Sequence, residues 1–284
     1  MVRLLLPLLT LLTAAKSPTV AESPSLAESQ TPQAAVFIHC ALLQRWQDVL
    51  DELVWAVHRG GLIAFVTNVV IVAVGADHAT SDVRSELTPA RYVSGGHERK
   101  IDIVFSNESM RRYELPTHTA LQQFARSHPN HLLLYMHTKG VGKVINPAVE
   151  EHRKLMTYFN AQCFGACMDR LRAGSPSCGV DLVRQPELHF SGNFWWARAD
   201  RIASLPEPNE FADIRRFPNA LRSWRHNQEF WVTWREIASR PVCVWQSGID
   251  VYKRHLTRYP PERYENATRC AAHVPMLNKR MSTG

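Results

Sequence analysis

The chain has 284 residues, 45% hydrophobic and 21% charged, enough for a substantial core in one large α/β domain or two small ones. Its formal net charge of +7 comes from 33 Lys and Arg against 26 Asp and Glu. The excess is scattered, densest at Arg215 to Arg225 and through Lys253, Arg254 and Arg258. No basic run is interleaved with aromatics, which argues against a nucleic-acid module and suits anionic small molecules such as nucleotides.

Met1-Val2-Arg3, the apolar stretch Leu4 to Ala15 and the small residues Thr13-Ala14-Ala15 read as a signal peptide over 1–15. The stretch is short of the ~20 residues of a spanning helix, so an uncleaved signal anchor, the only membrane link expected, is second choice. Asn107-Glu108-Ser109 and Asn266-Ala267-Thr268 are glycosylation acceptors. The six cysteines, Cys40, Cys163, Cys167, Cys178, Cys243 and Cys270, fit disulfides in an oxidising lumen, with a pairing the sequence leaves open. These features predict the secretory-pathway lumen (Golgi or ER) or secretion. Residues 16–34, rich in Pro, Ser, Thr, Ala and Glu, predict a disordered tether, and 35–284 a single domain.

Ala35 to Cys40 predicts a first buried strand. Gln44 to His58, with Trp46, Val49, Leu50, Leu53, Val54 and Val57 at helical spacing, predicts a helix ended by Gly60-Gly61. Strands are predicted at Val69 to Val74, closed by Gly75-Ala76-Asp77, and at Ile101 to Phe105. Pro116 to Ser127 predicts a helix. Leu132 to Met136 is the fourth strand, running into His137-Thr138-Lys139-Gly140-Val141-Gly142. Glu150 to Leu171 and Asn219 to Ile237 predict helices, His189 to Ala197 an aromatic strand, and Val242 to Trp245 a last one; from Tyr259 the sequence reads as irregular. Continuously apolar strands alternating with helices argue for a parallel, doubly covered sheet.

His137 to Gly142 stands where open α/β folds bind ligands, past the carboxyl end of a strand. A phosphate loop would need Gly at His137 and Ser or Thr at Val144, and both fail. Nucleotide-sugar transferases place an Asp-x-Asp pair at such a strand end to hold the metal on the leaving diphosphate; none occurs here. Lys139 with His137 can supply the positive charge instead, or an imidazole can help hold a metal. In Ser191-Gly192-Asn193-Phe194-Trp195-Trp196-Ala197, aromatics and an amide suit a sugar site, although adjacent Trp195 and Trp196 point to opposite faces of a strand, so at most one lines it. Glu229, four residues after Arg225, reads as either an exposed ion pair or a general base. His39 and Asp77 end early strands, where a base or ribose would be gripped. Cys163, Cys167 and Cys178 lack a fourth partner at zinc spacing.

Together these segments resemble a group of glycosyltransferase-like proteins whose shared pattern is a strand ending in His-Thr-Lys-Gly, a later Ser-Gly-Asn-Phe-Trp-Trp-Ala and then Glu-x-Trp. Here those are His137 to Gly140, Ser191 to Ala197 and Glu229-Phe230-Trp231, with Glu114, Pro116-Thr117, Arg153, Met156, Tyr158 and Phe159 as lesser landmarks and His152 as a departure. The resemblance implies an α/β, GT-A-like (Rossmann-like) fold, a mostly parallel sheet covered by helices on both faces. It divides the domain into a nucleotide-binding half (35–142) and an acceptor half (143–284). It implies transfer from a nucleotide-sugar donor to a glycan or glycoconjugate hydroxyl, or an inactive carbohydrate- or nucleotide-binding domain of that fold. Glu229, Lys139 and His137 would be catalytic. His39, Asp77, Thr138, Gly140 and Arg153 would bind the donor, and Ser191, Gly192, Asn193, Trp195 and Trp196 the acceptor. A divalent metal, Mn or Mg, stays open because Asp-x-Asp is missing.

Overall fold

The computed structural model describes residues 33–75, 81–92, 100–142, 144–211, 224–235 and 240–265. The signal peptide and nearly all of the tether expected from the sequence lie outside these bounds, as do Asp77, Asn266 and Cys270. Among the described residues no helix is long and apolar enough to cross a membrane.

In chain order the elements are β1 (Ala34–Ala41), α1 (Trp46–Arg59), β2 (Val66–Val74), α2 (Ser81–Glu86), β3 (Ile101–Ser106), α3 (Leu115–Ser127) and β4 (Leu132–His137). There follow α4 (Pro147–Thr157), a π turn (Tyr158–Gln162), α5 (Gly165–Arg172), β5 (Ser177–Val180), β6 (Leu182–Val183), β7 (His189–Phe190) and β8 (Trp195–Arg198). The last are α6 (Ala199–Ala203), α7 (Pro208–Phe211), α8 (Trp224–Asn227) and β9 (Val242–Trp245).

The main sheet has seven strands in the order β3-β2-β1-β4-β8-β5-β9. β1, β2, β3 and β4 pair in parallel, whereas β8 runs antiparallel to both β4 and β5, and β6 with β7 forms a separate antiparallel pair. The sheet is therefore mixed, and the expectation of a GT-A-like, mostly parallel sheet is corrected. The cause is physical. A strand buried on both faces reads as a continuous apolar run whichever way its neighbour points, so Trp195-Trp196-Ala197 carries no directional signal.

Alternation along the strands divides the core between the two faces. Leu132, Leu134, Met136 and Trp196 pack with α1, α4 and α5 residues such as Leu50, Leu155 and Met168. Leu133, Tyr135, Trp195 and Ala197 pack on the other side with Leu121 and Ala125 of α3, Ile202 of α6, and Trp231. The adjacent tryptophans thus face opposite ways, 1% and 0% exposed.

Two predicted helices are not continuous. The stretch from Glu150 breaks at the π turn, where Cys163 N–H donates to the Tyr158 carbonyl. There Gly60 approaches so closely that a Cβ on it would lie 2.5 Å from the Gln162 Cα, and the Trp196 indole N–H takes the Asn160 carbonyl. The Trp196 indole thus satisfies one carbonyl of the π turn, and the missing side chain at Gly60 leaves room for the turn's backbone. In the second stretch the described residues give only α8, a 3₁₀ turn (Gln228–Phe230) and further turns ending with Arg235 at φ 58. Phe230, Trp231, Val232 and Thr233 are buried in succession, a pattern no single helix face provides. α4 starts as sequence chemistry dictates: Pro147 occupies its first turn and the Asn146 side chain accepts from the N–H groups of Ala148 and Val149.

Candidate functional site

β1 and β4 run in register, setting His39 beside His137 at their carboxyl ends. A cleft of about 670 Å³ opens there, bounded also by Val74 of β2, the Lys139 to Gly142 turn, Ser191-Gly192, Glu229, and the segment around Arg254. This is where a parallel α/β sheet leaves its ligand space.

The most connected side chain in the cleft wall is Glu114, at the amino end of α3. Its Oε2 accepts from the Tyr135 hydroxyl at 3.0 Å and from the Asn193 amide. The Asn193 carbonyl oxygen in turn accepts from the Trp195 indole at 2.8 Å, which fixes the amide so that its NH₂ faces Glu114. Glu114 Oε1 lies 3.6 Å from His137 Nδ1, and His137 Nε2 is 2.9 Å from the Gly192 carbonyl. A carbonyl only accepts, so Nε2 carries a hydrogen and donates it to Gly192, while Nδ1 faces the Glu114 carboxylate.

The Ser191-Gly192-Asn193 turn makes this geometry. Gly192 has φ 93, and a Cβ there would lie 2.4 Å from Met156 Sδ and 2.9 Å from His152 Cε1. Only glycine meets both conditions, and Asn193 follows in the left-handed region at φ 59, where asparagine is among the least strained residues.

Lys139 is placed by backbone. Its carbonyl accepts from Arg153 Nη1 at 2.9 Å, while Arg153 Nε and Nη2 form a two-point pair with Glu52 of α1 at 3.1 and 2.7 Å. Thr138 Oγ1 accepts from Ala41 N–H at 3.0 Å, joining the ends of β1 and β4. Gly140 turns the chain at φ 88, against Val149.

Opposite lies a buried ionic cluster. Asp181, at φ 50 after β5, accepts from Ser247 N–H at 2.6 Å and pairs with Arg254 Nη1, which also sits 2.8 Å from His152 Nε2. Burial works to raise the Asp181 carboxyl, but its hydrogen bonds to His152, Arg254 and the Ser247 backbone win and hold it at about 2. Burial depresses the His152 ring to about 4 despite Asp181. The His39 ring, 3.0 Å from Thr117 Oγ1, is likewise lowered to about 4 by burial.

The structure brings His39, His137, Thr138, Lys139, Gly140, Ser191, Gly192 and Glu229 to one cleft. Arg153 and Asn193 stand behind it as positioning residues, both buried. Trp195 and Trp196 are core residues on opposite faces of the sheet and do not line the cleft. Asp77 lies outside the described residues. Sequence reasoning gave no chemical role to Glu114, Arg111, His152, Asp181, His226 or Arg254. In the sequence Glu114 stands only as a landmark before the Leu115-Pro116 helix start; the Asp181–Arg254 pair joins residues 73 positions apart and has no local signature.

Fold and cleft define the class: an α/β protein with a mixed sheet and a polar cleft at the carboxyl ends of its parallel strands. The chain belongs to the family described as a domain of unknown function (DUF8361), whose model matches residues 66–233. No curated protein matches it. Among solved structures it is similar to 4-diphosphocytidyl-2C-methyl-D-erythritol synthase from Anaerococcus prevotii, with 11% identity, a TM-score of 0.40, and coverage of 76% of this chain and 87% of that one. A second 4-diphosphocytidyl-2C-methyl-D-erythritol synthase gives 8%, 0.39, 84% and 99%, and Rv0371c from Mycobacterium tuberculosis gives 12%, 0.33, 66% and 86%. At these scores the likeness carries no functional argument.

The glycosyltransferase expectation is corrected by the family match: the family shown is a domain of unknown function, not a glycosyltransferase family. With it go the nucleotide-sugar donor, the glycan acceptor and the alternative of an inactive domain of that fold. No group of three or more His, Cys, Asp or Glu side chains that could hold a metal ion occurs among the described residues. The motif misled for a physical reason: Trp195, Trp196, Phe194 and Asn193 are held by packing and turn geometry rather than by a ligand.

Proposed function

We propose that the cleft binds a small organic phosphate. The observation that carries this reading is the convergence of Arg111, Lys139 and His137 on one cleft at the carboxyl ends of parallel strands. The carboxylates lining it are Glu114, which is engaged with His137, and Glu229. Lysine and arginine supply the charge for a phosphate group. Glu229, which also lines the cleft, would accept a hydrogen bond from a ligand hydroxyl.

Two disulfides support an oxidising compartment for this activity: Cys167 is bonded to Cys178, and Cys163 is also disulfide-bonded. Cys40 and Cys243 are free thiols.

Calorimetric titration with pyrophosphate and with ethyl phosphate tests the reading. Both ligands are expected to bind, and Lys139→Ala together with Arg111→Ala should weaken them at least tenfold. Absence of binding at millimolar ligand, or affinities indifferent to both substitutions, would refute it.

A further inference from the structure

Seven large hydrophobic side chains are exposed among the described residues: Trp55, Val104, Tyr113, Val144, Ile145, Tyr252 and Leu256. Single exposed hydrophobics are ordinary; a cluster at the edge of a polar site is not. Four of the seven fall in two short segments that border the cleft. Val144 and Ile145, 90% and 60% exposed, come two and three residues after Gly142, the last residue of the turn that lines the cleft. Tyr252 and Leu256, 59% and 72% exposed, are chain neighbours of Val251 and His255, which line the cleft.

The two segments are fastened to each other and to the core. Asn146 Nδ2 donates to the His255 carbonyl at 3.0 Å. The Asp250 carboxylate accepts from Tyr252 N–H at 2.9 Å. Arg254 is locked to Asp181 and His152 beneath, and Glu151 of α4 accepts from Arg258 Nε at 2.7 Å and Tyr259 N–H at 2.6 Å. The two segments are therefore anchored next to the cleft while these four side chains stay exposed. Holding them there costs free energy in water that a ligand with apolar surface would recover.

We infer that the ligand is an amphiphile: a phosphate ester whose head sits in the cleft and whose hydrocarbon chain lies along a lip made by Val144, Ile145, Tyr252 and Leu256. The inference rests on the phosphate-binding reading above and adds the chain to it. Charge complementarity selects the head, through Arg111 and Lys139, and continuity of the lip with the cleft wall selects the chain.

The test compares ethyl phosphate, dodecyl phosphate below its critical micelle concentration, and the neutral dodecyl maltoside, by titration calorimetry on the full chain. Dodecyl phosphate is expected to bind at least about tenfold more tightly than ethyl phosphate, the effect of burying roughly two methylenes. In Val144→Ser/Ile145→Ser/Leu256→Ser that ratio should fall towards one; all three sites are exposed, and an unchanged thermal melt verifies the fold. Equal affinities for the two phosphates in the wild type would overturn the amphiphile while leaving the phosphate site standing. A ratio untouched by the triple variant would overturn the lip, and dodecyl maltoside binding as well as dodecyl phosphate would overturn recognition of the head. Binding of neither phosphate would overturn both readings.

Discussion

His118 gives the most discriminating test of how this core is built. It lies on α3, 1% exposed, with its ring stacked on Trp231 at 4.9 Å and packed against Tyr135 at 4.6 Å. Neither ring nitrogen has a hydrogen-bond partner. Burial lowers its pKa from 6.5 to about 4; the nearby Glu114 opposes the shift, and His39 and His137 add to it. The sign follows from proton uptake. The unfolded chain binds a proton near pH 6.5 that the folded ring refuses until about pH 4, so this site's contribution is intact above pH 6.5 and is lost as pH falls through that window. Between pH 7 and pH 5 the loss is about 2 kcal/mol. His118→Phe keeps the stack on Trp231 and removes the titration. Any packing cost of the slightly larger ring is the same at both pH values, so the quantity of interest is the change in the stability gap. Urea unfolding followed by tryptophan fluorescence at pH 7 and pH 5 should show the variant gaining about 2 kcal/mol on the wild type over that interval. Parallel pH profiles for the two proteins would refute the assignment of His118 as a buried neutral ring.

Gly192→Ala combines a left-handed backbone with a Cβ 2.4 Å from Met156 Sδ, and should cost about 3 kcal/mol in urea unfolding. Gly61→Ala, at φ 74 with nothing within 4 Å, pays the backbone cost alone and should lose only about 1–2 kcal/mol, so equal losses would mean the contact with Met156 is not real. Replacing Cys167 and Cys178 together by alanine opens a loop of sequence separation 11 and should lower stability by about 3 kcal/mol under oxidising conditions, with no difference from wild type once both are reduced. Arg153→Met removes the two-point pair with Glu52 and the bond to the Lys139 carbonyl; it should cost about 2 kcal/mol and weaken pyrophosphate binding, whereas a loss of stability with binding intact would separate Arg153 from the positioning of Lys139.

The parts of the fold that depend on local chemistry were legible in the sequence. Leu132 to Met136 reads as a buried strand because five apolar residues in a row need cover on both faces, and the strand runs Leu132–His137. The Pro116 helix start and the apolar spacing from Trp46 to Val57 behave the same way, within a residue or two of α3 and α1. Strand direction was not legible, because β8 is inverted by the chain path from β5 through the β6–β7 pair rather than by anything in Trp195-Trp196-Ala197. Nor was the π turn, which depends on Gly60 arriving from another helix. At the cleft, the residues that end strands were found, since position along a strand is local. Glu114 stands out in the sequence only as a landmark and Arg254 only as part of a basic stretch; their roles were not legible, because each matters through partners from 21 to 102 positions away.

This division also explains which residues bear on what the protein binds. Trp195, Trp196, Phe194 and Asn193 are fixed by core packing, by the Trp195 indole bond to Asn193, and by the left-handed turn. Arg153 and Thr138 are fixed by bonds to Glu52, to the Lys139 carbonyl and to the Ala41 N–H. Such residues recur wherever this packing recurs, whatever fills the cleft, so a sequence string built from them reports the scaffold. Lys139, Arg111, His226 and Glu229 differ: they line the cleft, and none of them is fully buried. Substituting them can change ligand choice without first dismantling the sheet, and the same holds for Val144, Ile145 and Leu256 at the rim. Ligand discrimination between members of this family should therefore follow these exposed positions, and it should be insensitive to exchanges within the Trp195-Trp196 core that preserve its volume.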